Sequence, residues 1–145
     1  MKRLWAGVVS LALIACMPSV LAQEAGTDCP EGEGWLECRA AAGDRLAIYR
    51  LGRSAYEEAR ETGDFSEALR MGRELAYQKD KNGERLLKMT HLQLSWGNHK
   101  DYIQAYVWMV EDKGKGFDYL DNLIRNLADK MTPEQLAQAK ELAGK

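Results

Sequence analysis

The chain has 145 residues, 46% of them hydrophobic, with 20 basic and 22 acidic side chains and a formal net charge of -2. That length suits a single domain with a genuine core. The near-balance of charge excludes the basic footprint that a nucleic-acid-binding domain carries.

Lys2 and Arg3 open the chain and an apolar run follows from Leu4 to Ala15. The run is too short for a comfortable membrane span and has the length of the apolar core of an export signal. Pro18 breaks it, and Val20, Leu21 and Ala22 supply the small residues that precede a cleavage site, so residues 1–22 are read as a signal peptide cut after Ala22. Leu13, Ile14, Ala15 and Cys16 compete with this reading, because they resemble the lipobox of bacterial lipoproteins, in which the cysteine becomes the lipidated first residue. Both routes export the protein. The first leaves it soluble in the periplasm, and the second anchors it in the outer membrane facing the periplasm, the membrane being a partner only if Cys16 is lipidated.

Residues 23–43 read as an irregular leader. Cys29 and Cys38 remain as an even pair in an oxidising compartment and are read as a disulfide, since Pro30, Gly32 and Gly34 let the short segment between them turn back on itself. A metal or redox pair does not suit this spacing. Trp35 and Leu36 are the leader's large apolar side chains and are expected to plug one end of the helical stack.

From Asp44 to Pro133 there is no proline and no alternating β-branched run, so residues 44–145 are predicted to be all helix. Helix starts are signalled at Asp44, Asp64, Asn82, Asp101 and Thr132. Asp64 with Glu67, Asp101 with Gln104 and Thr132 with Gln135 have capping-box spacing. Turns are expected at Gly63, at Asn82 and Gly83, at Gly97 and Asn98, and from Gly114 to Gly116. Six helices follow, over 44–61, 64–79, 83–96, 101–112, 117–130 and 133–143, paired as three antiparallel hairpins. From Tyr102 to Val110 only Gln104 is polar, which marks this helix as the one on which the others pack.

A shift of 37 residues lays Asp64, Phe65, Ala68 and Met71 onto Asp101, Tyr102, Ala105 and Trp108. The same shift pairs Tyr49, Gly52, Ala55 and Ala59 with Leu86, Met89, Leu92 and Trp96. With Leu51-Gly52 before Asp64, this pattern resembles the Sel-one-like repeat, a branch of the tetratricopeptide-like solenoids, although Met71-Gly72 stands where that family usually has tryptophan. The tail around Leu127-Ala128 and Met131 to Ala137 resembles the hairpin that often closes such proteins. The resemblance implies a right-handed α-α solenoid of about three hairpins that acts as a scaffold or adaptor for proteins in the bacterial envelope, without catalysis or cofactor.

The residues themselves present no catalytic constellation and no metal site. His91 lies between Leu87 and Leu94 and reads as a half-buried packing residue, while His99 sits in a turn. The carboxylate clusters at Glu57, Glu58 and Glu61 and at Glu111 and Asp112 read as solvated helix surface. Lys113-Gly114-Lys115-Gly116 lacks phosphate-loop spacing and reads as a turn. Lys79, Lys81 and Arg85 are diluted by Asp80 and Glu84 and read as a solvated turn between repeats. The expected partner surface lies on the first helix of each hairpin, at Arg53, Tyr56, Lys88, His91 and Ser95, and would take an extended segment or helix of another envelope protein or peptide. A more specific reading is an immunity or inhibitor protein for a secreted toxin. A reading from another class is a small envelope hydrolase or ligand carrier, which would need Trp35, His91 and the acidic clusters in one pocket.

Overall fold

A computed structural model describes residues 29–97 and 101–144, and these contain helices and no strand. The signal segment, Cys16 and His99 lie outside the described residues. Seven helices follow in order: α1 (Trp35–Ala41), α2 (Arg45–Thr62), α3 (Ser66–Ala76), α4 (Lys81–Ser95), α5 (Tyr102–Lys113), α6 (Leu120–Ala128) and α7 (Pro133–Ala143). None of them is long and apolar enough to cross a membrane.

Helix boundaries follow local hydrogen-bonding chemistry. Asp44 accepts from the N–H groups of Leu46 and Ala47, Asp101 accepts from Gln104, and Thr132 and Gln135 close a full capping box behind Pro133. Two expected starts move. Asp64 Oδ1 accepts from Ser66 N, so α3 begins two residues later than expected. Asp80 rather than Asn82 caps α4, accepting from Asn82 N and Gly83 N, because the chain has already turned at Lys79. Lys79 has φ 62° and is the one non-glycine residue with positive φ among those described. It occupies the left-handed position that follows a helix, with Asp80 N bonded back to Leu75 O, a place where glycine is preferred and another residue costs about 1 kcal/mol.

Gly83 is therefore no turn residue. It sits in the first turn of α4, buried, and a Cβ there would stand 2.5 Å from Ala76 N and 2.7 Å from Leu75 C, so it permits the close approach of α4 to the end of α3. The leader also departs from expectation, because residues 35–41 form α1 and pack on α2. The sulfurs of Cys29 and Cys38 lie at bonding distance, with their Cα atoms 5.7 Å apart, and Arg39 lies over the ring of Trp35, 5.0 Å from its centre.

The core runs through every helix from α2 to α7, with Leu69, Leu75, Leu86, Leu94, Met109 and Leu120 almost wholly enclosed. Burying each such side chain contributes roughly 1.5–3 kcal/mol against the entropy of ordering the chain. α3 and α4 are the most extensively packed pair, so the expectation that α5 is the hub is corrected: α5 touches α4, α6 and α7, and its apolar girth is shared among them. Alternate helices also meet, α2 with α4, α4 with α6, and α5 with α7.

Buried positions recur between α3 and α5 and between α2 and α4. Residues 68, 69, 72 and 75 correspond to residues 105, 106, 109 and 112 at the expected spacing of 37, and all eight are buried. In the preceding helices the matching spacing is 35, where residues 48, 52, 56 and 59 correspond to residues 83, 87, 91 and 94, again all buried. The expected pairing of Ala59 with Trp96 fails, since Ala59 is enclosed and Trp96 is 64% exposed. The segment from α2 to α3 is shorter than the one from α4 to α5, so one shift cannot serve both.

Candidate functional site

At the last of the positions spaced by 37, Asp112 of α5 stands where α3 carries Leu75. Asp112 is fully enclosed, which overturns its reading as solvated surface, and four bonds surround it. Arg73 Nε of α3 donates to both of its oxygens at 2.8 and 3.0 Å, Tyr77 Oη donates to Oδ1, and His91 Nε2 of α4 lies 2.9 Å from Oδ2. The guanidinium of Arg73 also reaches Trp108 O at 3.1 Å and Glu111 Oε2 at 3.4 Å.

These partners determine the charge states. Burial alone would raise the Asp112 carboxyl, but the bonds from His91 and Tyr77 and the charge of Arg73 hold it below the usual carboxylate range. Burial lowers the proton affinity of His91. The bond and charge of Asp112 offset this only in part, because Arg73 already neutralises that carboxylate. An ionised Asp112 can only accept, so a neutral His91 carries its hydrogen on Nε2 and its bare Nδ1 accepts from Tyr119 Oη at 2.9 Å. The half-buried histidine expected from its helix face is thus a wholly enclosed link in a polar chain.

Tyr119 carries the chain outward. Its ring lies half-buried against Phe117, and Phe117 stacks on Tyr77, so Tyr77, Phe117, Tyr119 and His91 form a continuous aromatic run with centroids 6.0–6.1 Å apart. Phe117 and Tyr119 then floor an open groove of about 610 Å³ between the start of α4 and the turn after α5. Lys79, Lys81, Arg85, Lys88 and Lys115 border it, with Glu84 and Asp118 on the same rim. Lys88 Nζ stands 5.5 Å from the centre of the Tyr119 ring.

Residues far apart in sequence make this groove, gathering five cations around it. Asp80, which lies between Lys79 and Lys81 in sequence, has one carboxylate oxygen committed to the first N–H groups of α4. Lys79, Lys81, Arg85 and Lys115 form no ion pair among the described residues. On α2 and α3, Arg53 and Arg60 both pair with Glu57 and Arg70 pairs with Glu67 and Glu74, while Arg45 and Arg50 form no ion pair among the described residues.

The five residues expected to bind a partner separate into two groups. Tyr56, His91 and Ser95 are buried and offer no surface, a correction whose cause is that the helix face chosen for its polar reach is the face turned to the core. Ser95 Oγ bonds Leu92 O, and its own carbonyl accepts from Lys130 Nζ at 2.8 Å, tying α4 to the end of α6. Arg53 is half-buried, with its Nε enclosed and without a hydrogen-bond partner. Lys88 alone reaches the groove.

As chemistry, the Asp112–His91–Tyr119 chain is ordered but not primed. The Tyr119 hydroxyl has its pKa raised, by burial first and then by the charges of Asp112 and Glu84, and Tyr77 is pushed up to about 12 by burial and by its bond to Asp112. A nucleophile or general base needs the opposite shift. Trp35 lies away from this chain, among Arg39, Asp44 and Arg50 beside α2, and does not share a pocket with His91.

The chain matches no known family, no curated protein and no solved structure.

Proposed function

We propose that the protein is an exported helical-repeat adaptor of the Sel-one-like kind that binds another envelope protein from the periplasmic side. In this reading α2 and α3, α4 and α5, and α6 and α7 are three hairpins of a right-handed α-α solenoid, with α2, α4 and α6 in one layer. The packing of α2 on α3, the contacts of α2 with α4 and of α4 with α6, and the recurrence of buried positions support it, although α4 packs little on α5 and α7 packs on α5 rather than on α6.

The observation that carries the functional reading is the groove beside α4. It combines unpaired cations with an aromatic floor held from beneath, the composition of a surface that awaits a partner rather than one satisfied by its own chain. Its rigidity reduces the ordering cost that binding must overcome.

The test is crosslinking of the tagged protein in its native envelope, followed by rebuilding the complex from two purified components. Charge reversal by Lys88→Glu is expected to weaken that complex with helicity retained, and Arg53→Glu to have less effect because Arg53 is already held by Glu57. If no purified component forms a binary complex with the chain, the adaptor reading is wrong.

A further inference from the structure

Resting on that adaptor reading, we propose that the groove between α4 and the turn after α5 is a docking site for an acidic peptide segment, one that places carboxylates against the lysines and one aromatic or aliphatic side chain on the Phe117–Tyr119 floor. Three independent observations converge on it. The first is charge. Five cations border one groove and none of the five forms an ion pair among the described residues, Lys88 lying instead over the Tyr119 ring, whereas Arg53, Arg60 and Arg70 are each paired within their own helix.

The second is backbone. Lys79 keeps a left-handed conformation that glycine would adopt more readily, and its side chain lines the groove. Strain held at a position whose side chain faces an open groove has a use there, and a charge presented to a ligand supplies it. The third is the floor. Tyr119 is fixed by its bond to His91 and Phe117 by its stack on Tyr77, so the apolar surface needs no rearrangement to receive a side chain.

Glu84 and Asp118 on the rim decide between classes of anion. They disfavour a polymer whose charges are densely and rigidly spaced, such as a polyphosphate, more than carboxylates on flexible side chains that can settle away from them. They suit a peptide, whose backbone N–H groups they can accept. Lysines, as flexible point charges, match separated carboxylates better than they match one planar, bidentate anion.

The experiment measures fluorescence anisotropy of the purified processed protein with a labelled peptide of glutamates around one central phenylalanine. Three probes run beside it: the same peptide with glutamines, the glutamate peptide without phenylalanine, and inorganic polyphosphate. Saturable binding is expected only for the first at low salt, falling by about tenfold or more when salt is raised or when Lys88 and Lys115 are both changed to Glu. Phe117→Ala should weaken the phenylalanine peptide towards the level of the one that lacks it.

Lys79→Gly supplies the variant that cannot fail by misfolding. It should raise the urea midpoint and at the same time weaken the peptide by about threefold or more. A raised midpoint with unchanged affinity overturns the role of Lys79, and tighter binding of polyphosphate or equal binding of the glutamine peptide overturns the peptide site. If a reconstituted complex with an envelope partner survives the Lys88 and Lys115 reversals, the adaptor reading stands and this groove is not its docking site.

Discussion

Replacing Asp112 tests the arrangement on which the groove floor depends. Asp112→Ala removes the acceptor for Arg73, Tyr77 and His91 at once, inside a site with no solvent access to the carboxylate position. Breaking a buried charge pair on one side typically costs 3–5 kcal/mol. Arg73 keeps 21% side-chain exposure and its bonds to Trp108 and Glu111, so its charge is not wholly stranded and the expected loss is about 3 kcal/mol. Asp112→Asn should cost less, about 1–2 kcal/mol, because one amide oxygen can still serve Arg73 and Tyr77. Its NH₂ would then face His91 Nε2, which can accept only if the imidazole moves its hydrogen to Nδ1, and Tyr119 must then accept rather than donate. Urea unfolding at pH 7 followed by far-UV circular dichroism reads both losses from the midpoint at constant slope. An alanine variant within about 1 kcal/mol of the parent would refute the claim that the network contributes to stability, whatever its geometry.

Lowering the pH should act on the same group of residues. His91 has a lowered pKa in the fold and an ordinary one when unfolded, so below about 6.5 the unfolded chain binds more protons and stability falls as pH drops, by at most about 1.4 kcal/mol per pH unit. Asp112, also lowered, adds a second loss as pH falls below about 4. A His91→Gln variant should flatten the slope between pH 7 and 5, and an unaltered slope would contradict a neutral His91. Gly83→Ala should cost about 2–3 kcal/mol because its Cβ meets backbone, whereas Gly52→Ala should cost less, about 1–2 kcal/mol, because it meets side chains, the tip of Leu86 and Met71 Cβ, and thermal unfolding of the pair measures the difference. Cys29→Ser with Cys38→Ser should lower stability by about 2–3 kcal/mol, the loop-closure value for so short a segment, and the mass of the parent should be two hydrogens below the reduced value.

What could be read from the chain alone was local. Caps at Asp44, Asp101 and Thr132, the absence of proline and the helical spacing of apolar residues act within a few positions, and each is visible without neighbours. The pairing of Cys29 with Cys38 belongs to the same class, since a nine-residue separation with glycines brings the sulfurs together whatever lies around them. The spacing of 37 between α3 and α5 was legible in part: Ala68 and Ala105 are both enclosed, but Asp101 caps its helix and Asp64 does not.

The site was not legible, and the reason is distance along the chain. Whether Asp112 is a surface carboxylate or an enclosed one depends on Arg73, 39 positions earlier, and no window of sequence contains both. Lys79 to Lys88 and Lys115 to Tyr119 form one groove because α4 is held beside the turn between α5 and α6. Asp80 stands between two lysines in sequence, and only the fold shows that its side chain caps α4. Helices arise from interactions between near neighbours, so sequence determines them. Charge, burial and concavity arise where helices meet, so only the packed tertiary structure decides them.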